Sequence, residues 1–140
     1  MSLPINIHDK ASKRSAIITS RGQLVTAPLE FSTLSFQNLS ADNVAENFFK
    51  PLAGRRFVIT DVIADADRSV GANGATVDIF EASAIDSATI DKQLFQFDMP
   101  KQTDKVLIGL NIITTEGVFI NGKTDDNNVL VSIGGYFVDT

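Results

Sequence analysis

The sequence predicts an all-β protein: an antiparallel β-sandwich of jelly-roll topology with about eight strands. Three observations carry that prediction. The last third of the chain reads as apolar runs over 106–113, 118–123 and 129–138, separated by Thr-Thr-Glu-Gly and Thr-Asp-Asp-Asn-Asn turns. Runs of β-forming residues punctuated by turn residues mark an antiparallel sheet. Turn signals recur about every 8 to 14 residues along the chain, the spacing of a sandwich or barrel. No segment keeps a helical apolar period for more than about two turns. An immunoglobulin-type sandwich is the competing fold, but the sequence has neither a Cys pair nor a Trp to build its core.

Residues 1–14 (MSLPINIHDKASKR) mix Pro4, isolated apolar residues and basic residues without a period, and read as an extended N-terminal arm. Residues 15–140 read as one domain. Short strands are expected over 15–19 and 24–26, around a Ser20-Arg21-Gly22-Gln23 turn, and another over 31–37. Over 41–50 two readings compete. Ser40 or Asp42 could cap a helical turn over Val44, Ala45, Phe48 and Phe49, whereas alternation and the β neighbours favour a short strand; Pro51 ends either one.

From Arg55 the pattern sharpens. Phe57, Ile59 and Ile63 share one face with Asp61, while Val58, Thr60, Val62 and Ala64 share the other. A strand apolar on both faces is expected to be covered on both, in a sandwich core or an oligomer seam. A polar loop follows over 65–74, a strand over 75–81, and a second loop over 82–88. An alternating strand over 89–99 is ended by Pro100. Gly134-Gly135, inside the last run, predicts a bulge or a close backbone approach.

Composition narrows the function. A chain of 140 residues is long enough for a real core, with a radius of gyration of roughly 14 Å. Apolar residues make up 44% and charged residues 21%, outside the range of disordered chains. The aromatic set is ten Phe, one Tyr and no Trp, which suits apolar cores and subunit seams because Phe needs no hydrogen-bond partner. A net charge of −5 argues against nucleic acid as a partner. Without cysteine there are no disulfides, thiolate metal sites or Cys nucleophiles. No apolar run is long enough for a membrane span and the first ten residues lack a signal-peptide core, so a soluble protein made in a cytoplasm is expected.

Candidate chemistry is sparse. The one histidine, His8, lies in the arm, which leaves a Ser-His-Asp triad without its base. Asp61, Asp65 and Asp67, and the Asp125-Asp126-Asn127-Asn128 tip, do not match the calcium-loop pattern. The tip reads as a solvated turn, with a loop calcium as the lesser reading. Sugar-stacking surfaces are limited to Tyr136, which disfavours a glycosidase built on paired carboxylates. Gly71-Ala-Asn-Gly74 has neither the spacing nor the following helix of a phosphate loop. The expectation is no enzyme activity, no catalytic residues, no metal and no cofactor.

The order from Arg55 onward, through Phe57-Val-Ile-Thr-Asp61, the 75–81 strand and Val131-Ser-Ile-Gly-Gly-Tyr-Phe137, resembles small jelly-roll virion proteins of tailed bacteriophages, of the capsid decoration, cement or head-fibre type. The resemblance covers roughly residues 15–140 as a pattern of strands, much of which tumour-necrosis-factor-like trimers share, so it implies a TNF-like jelly roll. It implies a homotrimer that decorates or stabilises a capsid, located in the virion after synthesis in the host cytoplasm. Its partners would be copies of itself and the major capsid protein or another virion protein, with no membrane contact. Phe-bearing strands would supply the trimer seam. The basic arm would dock on the capsid, with Ile5, Ile7, Lys10, Lys13 and Arg14 as the contact residues. The competing function is a receptor- or carbohydrate-binding module of a phage fibre or tail, which would use the 65–74 and 82–88 loops. A small hydrolase or isomerase is the third class, disfavoured by the lack of His and Cys in the domain.

Overall fold

A computed structural model of the chain describes residues 6–9, 14–18, 24–25, 33–68 and 72–140. The backbone groups into two units, Met1–Phe31 and Ser32–Thr140. In the first, β1 (Asn6–Asp9), β2 (Arg14–Ile18) and β3 (Leu24–Val25) form a three-stranded antiparallel sheet in that order. The strands expected over 15–19 and 24–26 are β2 and β3; the 20–23 turn lies outside the described residues.

The second unit begins with β4 (Thr33–Leu39), β5 (Glu46–Phe49), β6 (Arg55–Ala66), β7 (Ala75–Ala82) and β8 (Lys92–Met99). It continues with β9 (Asp104–Leu107), β10 (Ile112–Ile113), β11 (Phe119–Thr124) and β12 (Val129–Asp139). One sheet has the order β10-β6-β12-β4, with β9 also paired to β6; the other has the order β5-β11-β7-β8. All pairings are antiparallel. Because β9 and β10 both run along β6, they act as one interrupted strand. Successive strands then cross from sheet to sheet except at the β7–β8 hairpin, which is the connectivity of an eight-strand jelly roll. The ambiguous 41–50 segment resolves as β5, and Asn43, at φ 60°, turns the chain just ahead of it and donates its N–H to the Thr124 carbonyl at 3.0 Å.

The core fills the space between the sheets. Leu39, Phe57, Ile59, Val62, Val129, Val131 and Ile133 come from one sheet; Phe48, Phe49, Val77, Ile79, Phe97 and Ile120 come from the other. Phe49 stacks on Phe57 across the layers with ring centroids 4.1 Å apart, and Phe137 meets Phe57 edge-on at 4.9 Å. Aromatic pairs in these geometries add about 1 kcal/mol beyond the area they bury. Much of the Phe excess is therefore packing within one chain.

The apolar pattern of β6 has a different cause from the one expected. Against β12, Gly134 pairs with Asp61 and Gly135 with Ile59, so Thr60 is an extra residue. This bulge reverses the inward parity: Phe57 and Ile59 face the core before it, and Val62, Ala64 and Ala66 after it. Ile63 points outward and is 49% exposed, so the strand is open on its outer face there, whereas Val58, outward before the bulge, is 3% exposed. The bulge lies opposite Gly134-Gly135, where the glycines foretold one, although the added residue belongs to β6. A Cβ at Gly135 would run into the Val58 carbonyl oxygen and lie 2.8 Å from the Phe57 ring, so only glycine fits that close approach.

The single strand expected over 106–113 is also interrupted. β9 ends at Leu107 and β10 starts at Ile112. Between them Gly109 adopts φ +71°, a left-handed conformation open to glycine, and the Leu110 N–H donates to the Thr60 carbonyl at 2.9 Å. The break therefore sits beside the β6 bulge, with residues 108–111 lying opposite Thr60 and Asp61.

Candidate functional site

The two outer faces of the sandwich differ. Residues 83–91, between β7 and β8, fold back over the outer face of the β5-β11-β7-β8 sheet. Asn121, fully buried, donates its side-chain amide to the carbonyls of Ala84 and Ser87, each at 3.1 Å. Its side-chain carbonyl accepts from Asn47 Nδ2 at 2.8 Å, and Asp86 Oδ1 accepts from the Asn47 backbone N–H at 2.8 Å. Under this roof Phe80 and Ala82 form a second small apolar cluster with Ala45, and the Lys123 ammonium lies 5.8 Å from the Phe80 ring centre. Buried amides need such partners, since an unpaired one costs about 1–3 kcal/mol. The polar side chains on this face are thus accounted for by the loop that covers it.

On the opposite outer face Val58 is buried, at 3% exposed, but large apolar side chains on the strands around it stand open. The register places Phe36 beside Ser132, Ser132 beside Ile63, and Ile63 beside Val106, one row running across β4, β12, β6 and β9. In neighbouring rows Gly134 lies between Leu34 and Asp61, and Leu130 between Asn38 and Asp65. Val58 lies between Tyr136 and Ile113. Leu34 is 69% exposed, Phe36 67%, Val106 58%, Ile113 50% and Leu130 44%. With Ile63 these six side chains make an apolar surface over the width of the sheet. Clustered exposed apolar side chains of this kind mark interaction sites, whereas single ones are ordinary.

Charges border this surface and are paired within the chain. At one end Arg68 forms ion pairs with Asp104 and Asp65; at the other Arg55 meets Asp139 at 3.2 Å. The hydrogen bond to Asp104, followed by the charges of Asp104 and Asp65, raises the Arg68 pKa, and the hydrogen bond from Arg68 lowers that of Asp104. An apolar centre within a polar rim is the usual anatomy of a protein interface.

Two open concavities lie on this unit. One of about 300 Å³ is lined by Asn38, Asp65, Ala66, Asp67, Arg68, Asn128 and Leu130. A second, about 290 Å³, lies between Gly74–Thr76, Asp98–Pro100, Asp125 and Asp126. Asp125 Oδ1 accepts from the Thr76 and Asp126 backbone N–H groups, each at 2.7 Å. Burial works against its ionisation, but those donors outweigh it and hold the carboxyl below its usual range. Among the described residues no group of three or more His, Cys, Asp or Glu side chains converges as a metal site, and no helix is long and apolar enough to cross a membrane.

Of the residues expected to contact a partner, Ile5, Lys10 and Lys13 lie outside the described residues. Ile7 sits in β1 opposite Ala16, and Arg14 in β2 opposite Asp9. The open face went unread in the sequence, although β4 carried a signal for it. Leu34 and Phe36 are out of phase with Leu39, the core residue of the same strand, while Thr33, Ser35 and Gln37 take the inward positions.

Fold and surface together define an all-β jelly roll with one roofed and one open sheet face. No family model matches the chain, and no curated protein matches it. Among solved structures, the chain is similar to one in the acidic stable capsid structure of Helicobacter pylori bacteriophage KHP30. The TM-score is 0.47 and the identity 7%, over 80% of this chain and 97% of that one.

Proposed function

We propose that this protein is a non-catalytic structural protein of a bacteriophage virion, a capsid decoration or stabilisation protein that assembles as a homotrimer through its open sheet face. The observation that carries the reading is the asymmetry of the sandwich: the protein roofs one outer face with its own loop and leaves six large apolar side chains on the other. Each is worth about 1 kcal/mol when its exposed part is covered, enough together to drive association. Further copies of this chain fit the face because the charges at its two ends, Arg68 with Asp65 and Asp104 and Arg55 with Asp139, are already paired in cis, and Asp61 beside Gly134 accepts from the Thr60 hydroxyl at 2.7 Å. The strand pattern shared with small phage virion proteins supports the setting.

The capsid contact falls to the N-terminal arm, residues 1–14. Met1–Phe31 holds Lys10, Lys13, Arg14 and Arg21 against Asp9 and Glu30 in its sequence, so that unit carries net positive charge while the rest of the chain is acidic. A basic arm suits an acidic surface on the major capsid protein or another virion protein.

Light scattering on the purified protein, followed by co-sedimentation with capsids, tests both parts. A trimer that binds capsids and loses them when residues 1–14 are deleted is expected. A monomer would remove the seam, and a trimer that ignores capsids but binds host cells or polysaccharide would overturn the decoration role.

A further inference from the structure

We infer that Asn73 is a site of spontaneous backbone modification, at which its side-chain amide is lost through a succinimide to give aspartate and isoaspartate. The chain contains two Asn-Gly pairs, Asn73-Gly74 and Asn121-Gly122, and the fold treats them oppositely. In this step the Gly74 backbone nitrogen attacks Asn73 Cγ. A new N–C bond closes a five-membered ring, the amide C–N bond breaks and ammonia leaves. Water then opens the ring at either carbonyl, leaving a carboxylate at position 73 and, in the isoaspartyl product, one extra methylene in the backbone.

The reaction needs a free amide, an unhindered following nitrogen and a backbone able to bring the two together. Asn73 is exposed and lies outside any strand, and no side-chain hydrogen bond holds its amide among the described residues. Gly74 shields its nitrogen with no side chain, and no backbone hydrogen bond from its N–H is found among the described residues. Asn121 is the internal control. Its side chain is fully buried, its amide is held by Asn47, Ala84 and Ser87, and Gly122 is paired in β11 with both β5 and β7. It reacts only when that sheet opens.

The change would matter at this end of the sandwich. The Asn73 carbonyl accepts from Asn127 Nδ2 at 2.9 Å, and the same amide donates to the Asp67 carbonyl at 3.3 Å. Asn127 is buried, so the β11–β12 turn is tied to the segment before β7 through this side chain. A methylene inserted at position 73 shifts that carbonyl and loosens the tie. The new carboxylate also adds a negative charge next to Gly74, which lines a groove with Asp98, Asp125 and Asp126.

The test is to hold the folded protein at mildly alkaline pH and follow both sites by peptide mass mapping, with enzymatic detection of isoaspartate. Conversion at Asn73 at least about tenfold faster than at Asn121 is expected, because the second site must wait for opening. In urea the two rates should converge, and Asn73→Gln should remove the fast site. Equal rates in the folded protein, or an Asn73 unchanged while Asn121 reacts in urea, would refute the assignment.

Discussion

At the residue scale, two side chains show how polar groups shape this apolar fold. Asn121 joins β11 to both β5 and the roof loop, and its removal strands the Ala84 and Ser87 carbonyls and takes from Asn47 Nδ2 one of its three acceptors, leaving the Phe49 and Ile120 carbonyls. Asn121→Ala is expected to cost about 2–4 kcal/mol in urea unfolding, the range for several buried groups losing partners at once. Asp125 acts at the other end, capping the Thr76 and Asp126 N–H groups. Its folded pKa lies below its unfolded one, near 3.9, so the stability it adds is present above about pH 4 and is lost as pH falls through the folded value. Asp125→Asn should melt below the parent at pH 7, and the gap should close progressively in acid; a gap constant with pH would show that the charge plays no part. Reading Asp125–Asn128 as a turn captured the tip's conformation, but the sequence does not reveal which N–H a carboxylate will find 49 residues away.

At the element scale, strand existence was legible because alternation and turn residues are local signals. β5, β7, β8, β11 and β12 lie where the sequence puts them. What was not legible was the phase within a strand. Thr60 looks like an ordinary strand residue, and only its pairing with β12 shows it to be extra, so β6 reads as two-faced until its partner is known. The 106–113 run breaks at Gly109, in a left-handed conformation, opposite the bulge on the neighbouring strand, a position that only the pairing reveals. The Gly134-Gly135 pair was the one local hint. Gly135→Ala tests the close approach: Cβ would overlap the Val58 carbonyl, and a loss of about 3 kcal/mol or failure to fold is expected from overpacking. A melting temperature within a degree or so of the parent would mean the strands can part cheaply there.

At the scale of the whole molecule, the open face should separate folding from assembly. Phe36→Ser combined with Ile63→Ser removes apolar area from the centre of the surface without touching the core. Monomer stability should change by less than about 1 kcal/mol, as for surface substitutions, while the proposed trimer is lost in light scattering. A variant that stays trimeric would place the seam elsewhere. The face was the least legible feature, since apolar residues at 34, 36, 63, 106, 113 and 130 are brought together only by pairing between strands distant in sequence. Thr60 has one further consequence. Without it, the second half of β6 would turn over, carrying Asp61, Ile63 and Asp65 into the dry interior and Val62, Ala64 and Ala66 out to water. One residue of chain length thus decides which alphabet the exterior is written in. A deletion there would be read by a neighbour as a different surface altogether, and selection acting on assembly would guard the number of residues in this strand as strictly as their identity.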